Sequence, residues 1–267
     1  MTHDPRAVLT RPAGAPDRTA RYGDHAEHVV DLRLPAQDLG RPLVVFIHGG
    51  FWRAEYDRTH AGPLAADLAR RGWPVATIEF RRVGQDGGGW PGTFDDVAAA
   101  VAAVPELFGG DVPAAAPVLA GHSAGGQLAL WAAARSPGRT RGVLALAPVA
   151  DLRTAYAQRL GDGAVAALLG GGPAQVPDRY AAVDPMALLP LRVPSMLVHG
   201  VDDDRVPVAL STGFAAAATA AGDPVRLVTL PGVEHFGVID PESAAWPAVL
   251  DALAYVDGSG PASAARR

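Results

Sequence analysis

Neither cysteine nor lysine occurs anywhere in the 267 residues. Without cysteine there can be no disulfide, no thiolate nucleophile and no thiolate-held zinc. Without lysine there is no Schiff base, no pyridoxal phosphate anchor and no phosphate-loop lysine, and all 23 basic residues are arginine. Any nucleophile must therefore be Ser, Thr, Asp, Glu, His or Tyr. Basic clusters are missing too, and the formal net charge is −5, which argues against a nucleic-acid partner. The longest strand-like apolar runs reach about half of the roughly 20 residues that span a bilayer. The opening stretch, MTHDPRAVLTRPAGAPDRTARYG, has no apolar segment of the secretory kind. The expectation is a soluble, cytoplasmic chain with no membrane partner. No histidine pair has metal-ligand spacing, so neither a metal nor another cofactor is expected.

Hydrophobic residues make up 49% of the chain, enough for a large core and far too many for disorder. Abundant Ala, Arg, Gly and Pro with little Ile fit a GC-rich, bacterial coding sequence. Strand-like and helical stretches alternate along the chain. HVVDLRL at 28–34 reads as a half-exposed strand, and LVVFI at 43–47 as one buried on both faces. Further strands are expected at 74–80, 118–121, 142–149, 195–200 and 225–231, with helices at 59–71, 94–104, 124–135, 207–221 and 241–256. That rhythm predicts an α/β fold with a mostly parallel sheet flanked by helices and a site beyond the carboxyl ends of the strands. Residues 1–20 read as an irregular N-terminal arm, 21–257 as a single domain and 258–267 as a flexible tail. The segment 151–190 contains Gly170-Gly171-Gly172 and several prolines. It is too long for a simple connection and reads as a lid or cap insertion.

Four signals stand at expected strand ends. Gly121-His122-Ser123-Ala124-Gly125 lies between a strand and a helix, the setting of a nucleophile elbow. With 31 glycines in the chain, such a pattern also arises by chance, so the other three matter. His48-Gly49-Gly50-Phe51-Trp52 follows the buried strand, and its glycine pair frees main-chain N–H groups for an oxyanion hole. Asp202, Asp203 and Asp204 follow the strand at 195–200, where a carboxylate can orient a histidine. His235 follows the last strand and can serve as general base, since an imidazole's ordinary pKa of about 6.5 suits it to take and return a proton near neutrality. Of the remaining histidines, His48 is expected to orient the oxyanion loop, His122 and His199 to be structural, and His3, His25, His28 and His60 to face solvent. Phe51, Trp52, Trp90 and Phe236 are the aromatic candidates for an acyl or aryl pocket.

Taken together, these motifs resemble the α/β-hydrolase superfamily over about residues 28–256. His48-Gly49-Gly50-Phe51-Trp52 is similar to the His-Gly-Gly-x-Trp motif of the kynurenine formamidase (arylformamidase) group and to the loops of related bacterial carboxylesterases. The resemblance implies an α/β-hydrolase fold and a triad of Ser123, Asp203 and His235. Because Gly-x-x-Asp-x-x-Val-Pro is the spacing that places the acid in that superfamily, Gly200, Val206 and Pro207 make the resemblance imply Asp203 rather than Asp202 or Asp204. It also implies an oxyanion hole from the main-chain N–H groups of Gly50 and Phe51, joined by Ala124. Trp52, Trp90 and Phe236 are expected to line the substrate pocket. The implied activity is cleavage of a small carboxylic ester, with hydrolysis of an aryl formamide or ligand binding without turnover as the alternatives.

Overall fold

The computed structural model describes residues 4–136 and 138–258. Apart from Gly258, the tail expected at 258–267 lies outside the described residues. Eight strands, β1 (Arg18–Arg21), β2 (Val29–Arg33), β3 (Val44–Ile47), β4 (Val75–Ile78), β5 (Val118–His122), β6 (Gly142–Leu146), β7 (Ser195–Gly200) and β8 (Val225–Leu230), form one sheet in the order β1-β2-β4-β3-β5-β6-β7-β8. The strands from β4 to β8 in that order are parallel, and β1 and β2 are antiparallel additions at one edge.

The helices are α1 (Gly62–Arg70), α2 (Gly92–Phe108), α3 (Ala124–Arg135), α4 (Leu152–Ala157), α5 (Leu160–Leu169), α6 (Pro177–Val183), α7 (Ala209–Ala220) and α8 (Trp246–Val256). Alternate residues of the central strands enter opposite cores, because successive side chains of a strand point to opposite faces. In β3, Val45 and Ile47 join one apolar cluster, whereas Val44 and Phe46 join the other. The first cluster is closed by α2, α3 and α7 through Phe94, Leu128 and Phe214, and the second by α1 and α8 through Leu68 and Leu253. Double burial explains why these strands are apolar without a break. This is an α/β-hydrolase fold. Among the described residues, no helix is long and apolar enough to cross a membrane.

From Asp4 onward the N-terminal arm is more ordered than its composition implies. A 3-10 turn at Ala7–Leu9 buries Val8 completely, and Arg11 clamps the buried Asp240 through two hydrogen bonds of 2.5 and 3.0 Å. Arg33 donates to the carbonyls of Gly14 and Ala15, and β1 starts within the last residues of the arm. All of these partners are distant in sequence, so no local pattern announces them.

The segment 151–190 carries α4, α5 and α6 and leans on the loop after β3, where the Arg53 guanidinium donates to Gly161 O at 2.5 Å. Within this segment, Asp184 follows α6. Its Oδ1 accepts from the main-chain N–H groups of Leu152 and Met186, while its buried Oδ2 has no partner among the described residues. Burial raises its pKa to about 6, against the pull of the N–H donors. A carboxyl whose pKa is raised on folding favours the fold while protonated. That contribution is full below about pH 4 and is lost as pH rises through about 6. Asp184→Asn should therefore be more stable than the parent by roughly 2–3 kcal/mol at pH 8, with the advantage vanishing near pH 4. Urea midpoints at the two pH values measure it, and an equal effect at both would contradict the burial argument.

Candidate active site

β5 runs into α3 through Ser123, whose φ of 56° and ψ of −118° place a non-glycine residue in a strained turn. Such a conformation costs about 1–3 kcal/mol and persists only where the surroundings enforce it. Here the Ser123 N–H donates to Leu146 O at 2.8 Å, pinning the turn to the next strand. The flanking glycines are a packing requirement. A Cβ on Gly125 would stand 2.0 Å from Ile47 O, and one on Gly121 would stand 2.2 Å from Gly125 O. Strand and helix approach so closely that only hydrogen fits on either side of the serine.

Past the end of β7, the chain turns through Asp203, which is buried while Asp202 and Asp204 are exposed. Asp203 Oδ1 accepts from the main-chain N–H groups of Arg205 and Val206, each at 2.8 Å. Its Oδ2 lies 2.7 Å from His235 Nδ1 and 3.2 Å from His199 Nε2. Burial alone would raise the pKa of this carboxyl. The hydrogen bonds from His199 and His235, the electrostatic pull of the His235 ring and the Val206 N–H outweigh it and hold the group well below the usual carboxylate range. His199 Nε2 also faces Val206 O at 2.8 Å, while its Nδ1 meets the Ser211 hydroxyl at 2.7 Å, so this histidine braces the acid loop. His122 Nε2 donates to His235 O at 3.0 Å. Complete burial, with His235 beside it, drives the His122 pKa well below 6.5. It positions the His235 loop without carrying charge.

The loop after β3 has three consecutive residues at positive φ, Gly50 at 114°, Phe51 at 51° and Trp52 at 56°. A Cβ on Gly50 would strike the Tyr56 side chain at 2.4 Å. Among the described residues, none accepts a hydrogen bond from the main-chain N–H of Gly50, Phe51 or Ala124. Beneath the loop sits a buried ionic cluster. His48 Nε2 is 2.8 Å from Glu79 Oε1, Glu79 Oε2 accepts the Arg58 N–H at 2.9 Å, and Arg82 pairs with Glu79 at 2.7 Å. Burial would raise the Glu79 pKa, but His48 and Arg82 prevail and lower it. The loop is thus anchored from below by a charged hub.

One cavity of roughly 430 Å³, counting its open mouth, is lined by Ser123, His235, Gly50, Phe51 and Phe236 together with Tyr56, His60 and His122. Arg6, Leu9 and Arg205 complete its rim.

Two of the aromatics expected in this pocket lie elsewhere. Trp52 is buried in the core, its Nε1 donating to Gln127 Oε1 at 3.2 Å, because the positive φ at 51 and 52 turns the chain inward. Trp90 is half-buried against Phe94, and its main-chain N–H donates to Leu168 O at 2.8 Å. Phe236 does line the cavity. His60, expected in solvent, lines it as well, and burial, reinforced by nearby His48, pushes its pKa down to about 4. His28 also has a partner, Asp96 at 3.0 Å. Arg6, Leu9, Tyr56 and Arg205 carried no signal in the sequence as site residues. Glu79 left one trace, a lone acid ending an apolar strand.

Comparison with known proteins follows the same lines. Residues 60–258 match the profile of the prolyl oligopeptidase family, a span that contains Ser123, Asp203 and His235 and begins after the 48–52 loop. Esterase LipQ of Mycobacterium tuberculosis (strain ATCC 25618 / H37Rv) is 28% identical over 231 residues, 78% of this chain and 54% of that protein. The chain thus spans about half the length of this curated relative. Esterase B from Lactobacillus rhamnosis superposes with a TM-score of 0.78 at 21% identity, covering 96% of this chain and 90% of that one. A truncated carbohydrate esterase from gut microbiota gives a TM-score of 0.76 at 19% identity, covering 91% and 98% respectively.

Proposed function

The chain belongs to the prolyl oligopeptidase family, and from that footing we propose that it hydrolyses small carboxylic esters through an acyl-enzyme on Ser123. The observation that carries this reading is the 2.7 Å contact between His235 Nδ1 and Asp203 Oδ2, with His235 and the strained Ser123 lining one cavity. Ser123 Oγ attacks the ester carbonyl while His235 Nε2 takes its proton. The negative oxygen of the tetrahedral intermediate is held by the N–H groups of Gly50, Phe51 and Ala124. His235 returns the proton to the departing alcohol, and a water molecule, deprotonated by the same imidazole, releases the acid. Asp203 keeps the hydrogen on Nδ1, leaving Nε2 free to act as base, and stabilises the imidazolium once formed.

Support for esters over amides comes from the relatives, since the similar proteins named above are described as esterases. A comparison of kcat/KM for a panel of short-chain and aromatic esters with that for N-formylkynurenine tests the choice. The best ester is expected to exceed the formamide at least tenfold. The reverse order would assign the site to formamide hydrolysis.

A further inference from the structure

The rim of the Ser123 cavity is cationic. Its two arginines come from opposite ends of the chain, Arg6 from the arm and Arg205 from the acid loop, and no carboxylate lines the cavity among the described residues. Neighbouring arginines are held by acids or by main-chain carbonyls: Arg11 by Asp240, Arg58 by Asp31, Arg81 by Asp96, Arg82 by Glu79 and Glu27, Arg33 by the carbonyls of Gly14 and Ala15, and Arg53 by that of Gly161. The two at the rim are not. Among the described residues the Arg6 side chain has no hydrogen-bond or ion-pair partner; only its main chain is engaged, the N–H by Asp4 Oδ1 at 2.9 Å and the carbonyl by the Leu9 N–H at 3.0 Å. Arg205 has a single neighbour of opposite charge, Asp204, at 3.5 Å. That carboxylate is 72% exposed and the arginine 41% exposed, a surface pair of little worth.

The remaining acids nearby are occupied. Asp203 holds two histidines and two main-chain N–H groups, and Glu234 accepts from the Phe236 N–H at 2.7 Å. Arg6 is not a loose tail residue either. It immediately precedes the 3-10 turn that buries Val8, in an arm tied down by Arg11.

We propose that Arg6 and Arg205 make this site select esters that carry a second, ionised carboxylate. The inference rests on the ester-hydrolase reading and deepens it. Guanidinium groups bind carboxylates through charge-assisted, often paired hydrogen bonds, and a cavity rimmed by one sign of charge gathers ligands of the other. The small cavity fits a compact group such as a carboxylate on a short acid or on a phenol. Because the arm supplies one of the two charges, it is part of the substrate site.

The test uses two matched pairs of esters, each rate normalised to alkaline hydrolysis. Monomethyl adipate against methyl hexanoate puts the charge on the acid side. 4-Acetoxybenzoate against 4-acetoxybenzamide puts it on the alcohol side. In at least one pair the charged ester is expected to have kcat/KM at least about tenfold above the neutral one. That ratio should fall about threefold in Arg6→Gln and in Arg205→Gln, to about one in the double variant, and steeply with added salt. A ratio at or below one in both pairs, or a ratio indifferent to both substitutions, overturns the inference while leaving the hydrolase reading intact, provided that Ser123→Ala abolishes turnover of the neutral esters. If no ester is turned over and a fluorophosphonate leaves Ser123 unlabelled, the hydrolase reading falls and this inference with it.

Discussion

Ser123→Ala is expected to lower kcat for a good ester by a factor on the order of 10⁶, the scale at which removing the nucleophile disables a serine hydrolase. The fold should survive. The serine hydroxyl holds no other element in place, and the pinning bond of the turn comes from the main-chain N–H to Leu146 O, which alanine keeps. Alanine also keeps the strain, because its Cβ meets the same barrier at a φ of 56°. Ser123→Gly provides the contrast. It should be equally inactive yet more stable than the alanine variant by about 1 kcal/mol, since glycine occupies positive φ at no steric cost. Denaturant midpoints of the two variants read this directly. A Ser123→Gly protein no more stable than Ser123→Ala would mean that the elbow is not strained.

The second large effect is expected from Asp203→Asn, a loss of roughly 10⁴ in kcat by the precedent of serine proteases. The geometry gives the reason. Oδ1 already accepts two main-chain N–H groups, so the new amide NH₂ must occupy the Oδ2 position, facing His235 Nδ1 at 2.7 Å. Two donors cannot share that contact. The imidazole moves its hydrogen to Nε2 and loses the lone pair that would take the serine proton. Asp202→Asn and Asp204→Asn alter exposed side chains and should stay within about threefold of the parent. Were one of these the damaging change, a different residue would be the acid.

Much of the architecture was legible because burial leaves a local imprint. LVVFI and VLAG are apolar without interruption because both faces of β3 and β5 are covered. The glycine spacing around Ser123 was legible as well, and its cause is the approach of Gly125 to Ile47 O. What sequence reading missed depends on partners far along the chain. β1 and the turn at Ala7–Leu9 are held by Arg33, Asp240 and the apolar pocket around Val8, none of which shows in a segment rich in Pro, Arg and Gly. Trp52 looked like a pocket residue because it is an aromatic just past a strand end, but two consecutive positive φ values send neighbouring side chains to opposite destinations. His60 and Glu79 gain their roles only where separate loops converge, and hydrophobic periodicity carries no information about such meetings.

The central claim, that the Ser123 oxygen forms the covalent bond, has a direct test in fluorophosphonate labelling followed by peptide mass spectrometry. Because the chain has no lysine, trypsin cuts only after arginine and delivers Ser123 within the single peptide 83–135, whose only other aliphatic hydroxyl is that of Thr93. The account predicts one adduct per chain, localised to Ser123 by fragmentation, with esterase activity lost in proportion to its formation and no adduct in Ser123→Ala. An unmodified Ser123 in fully inhibited protein, or full activity after stoichiometric labelling at that residue, would contradict it.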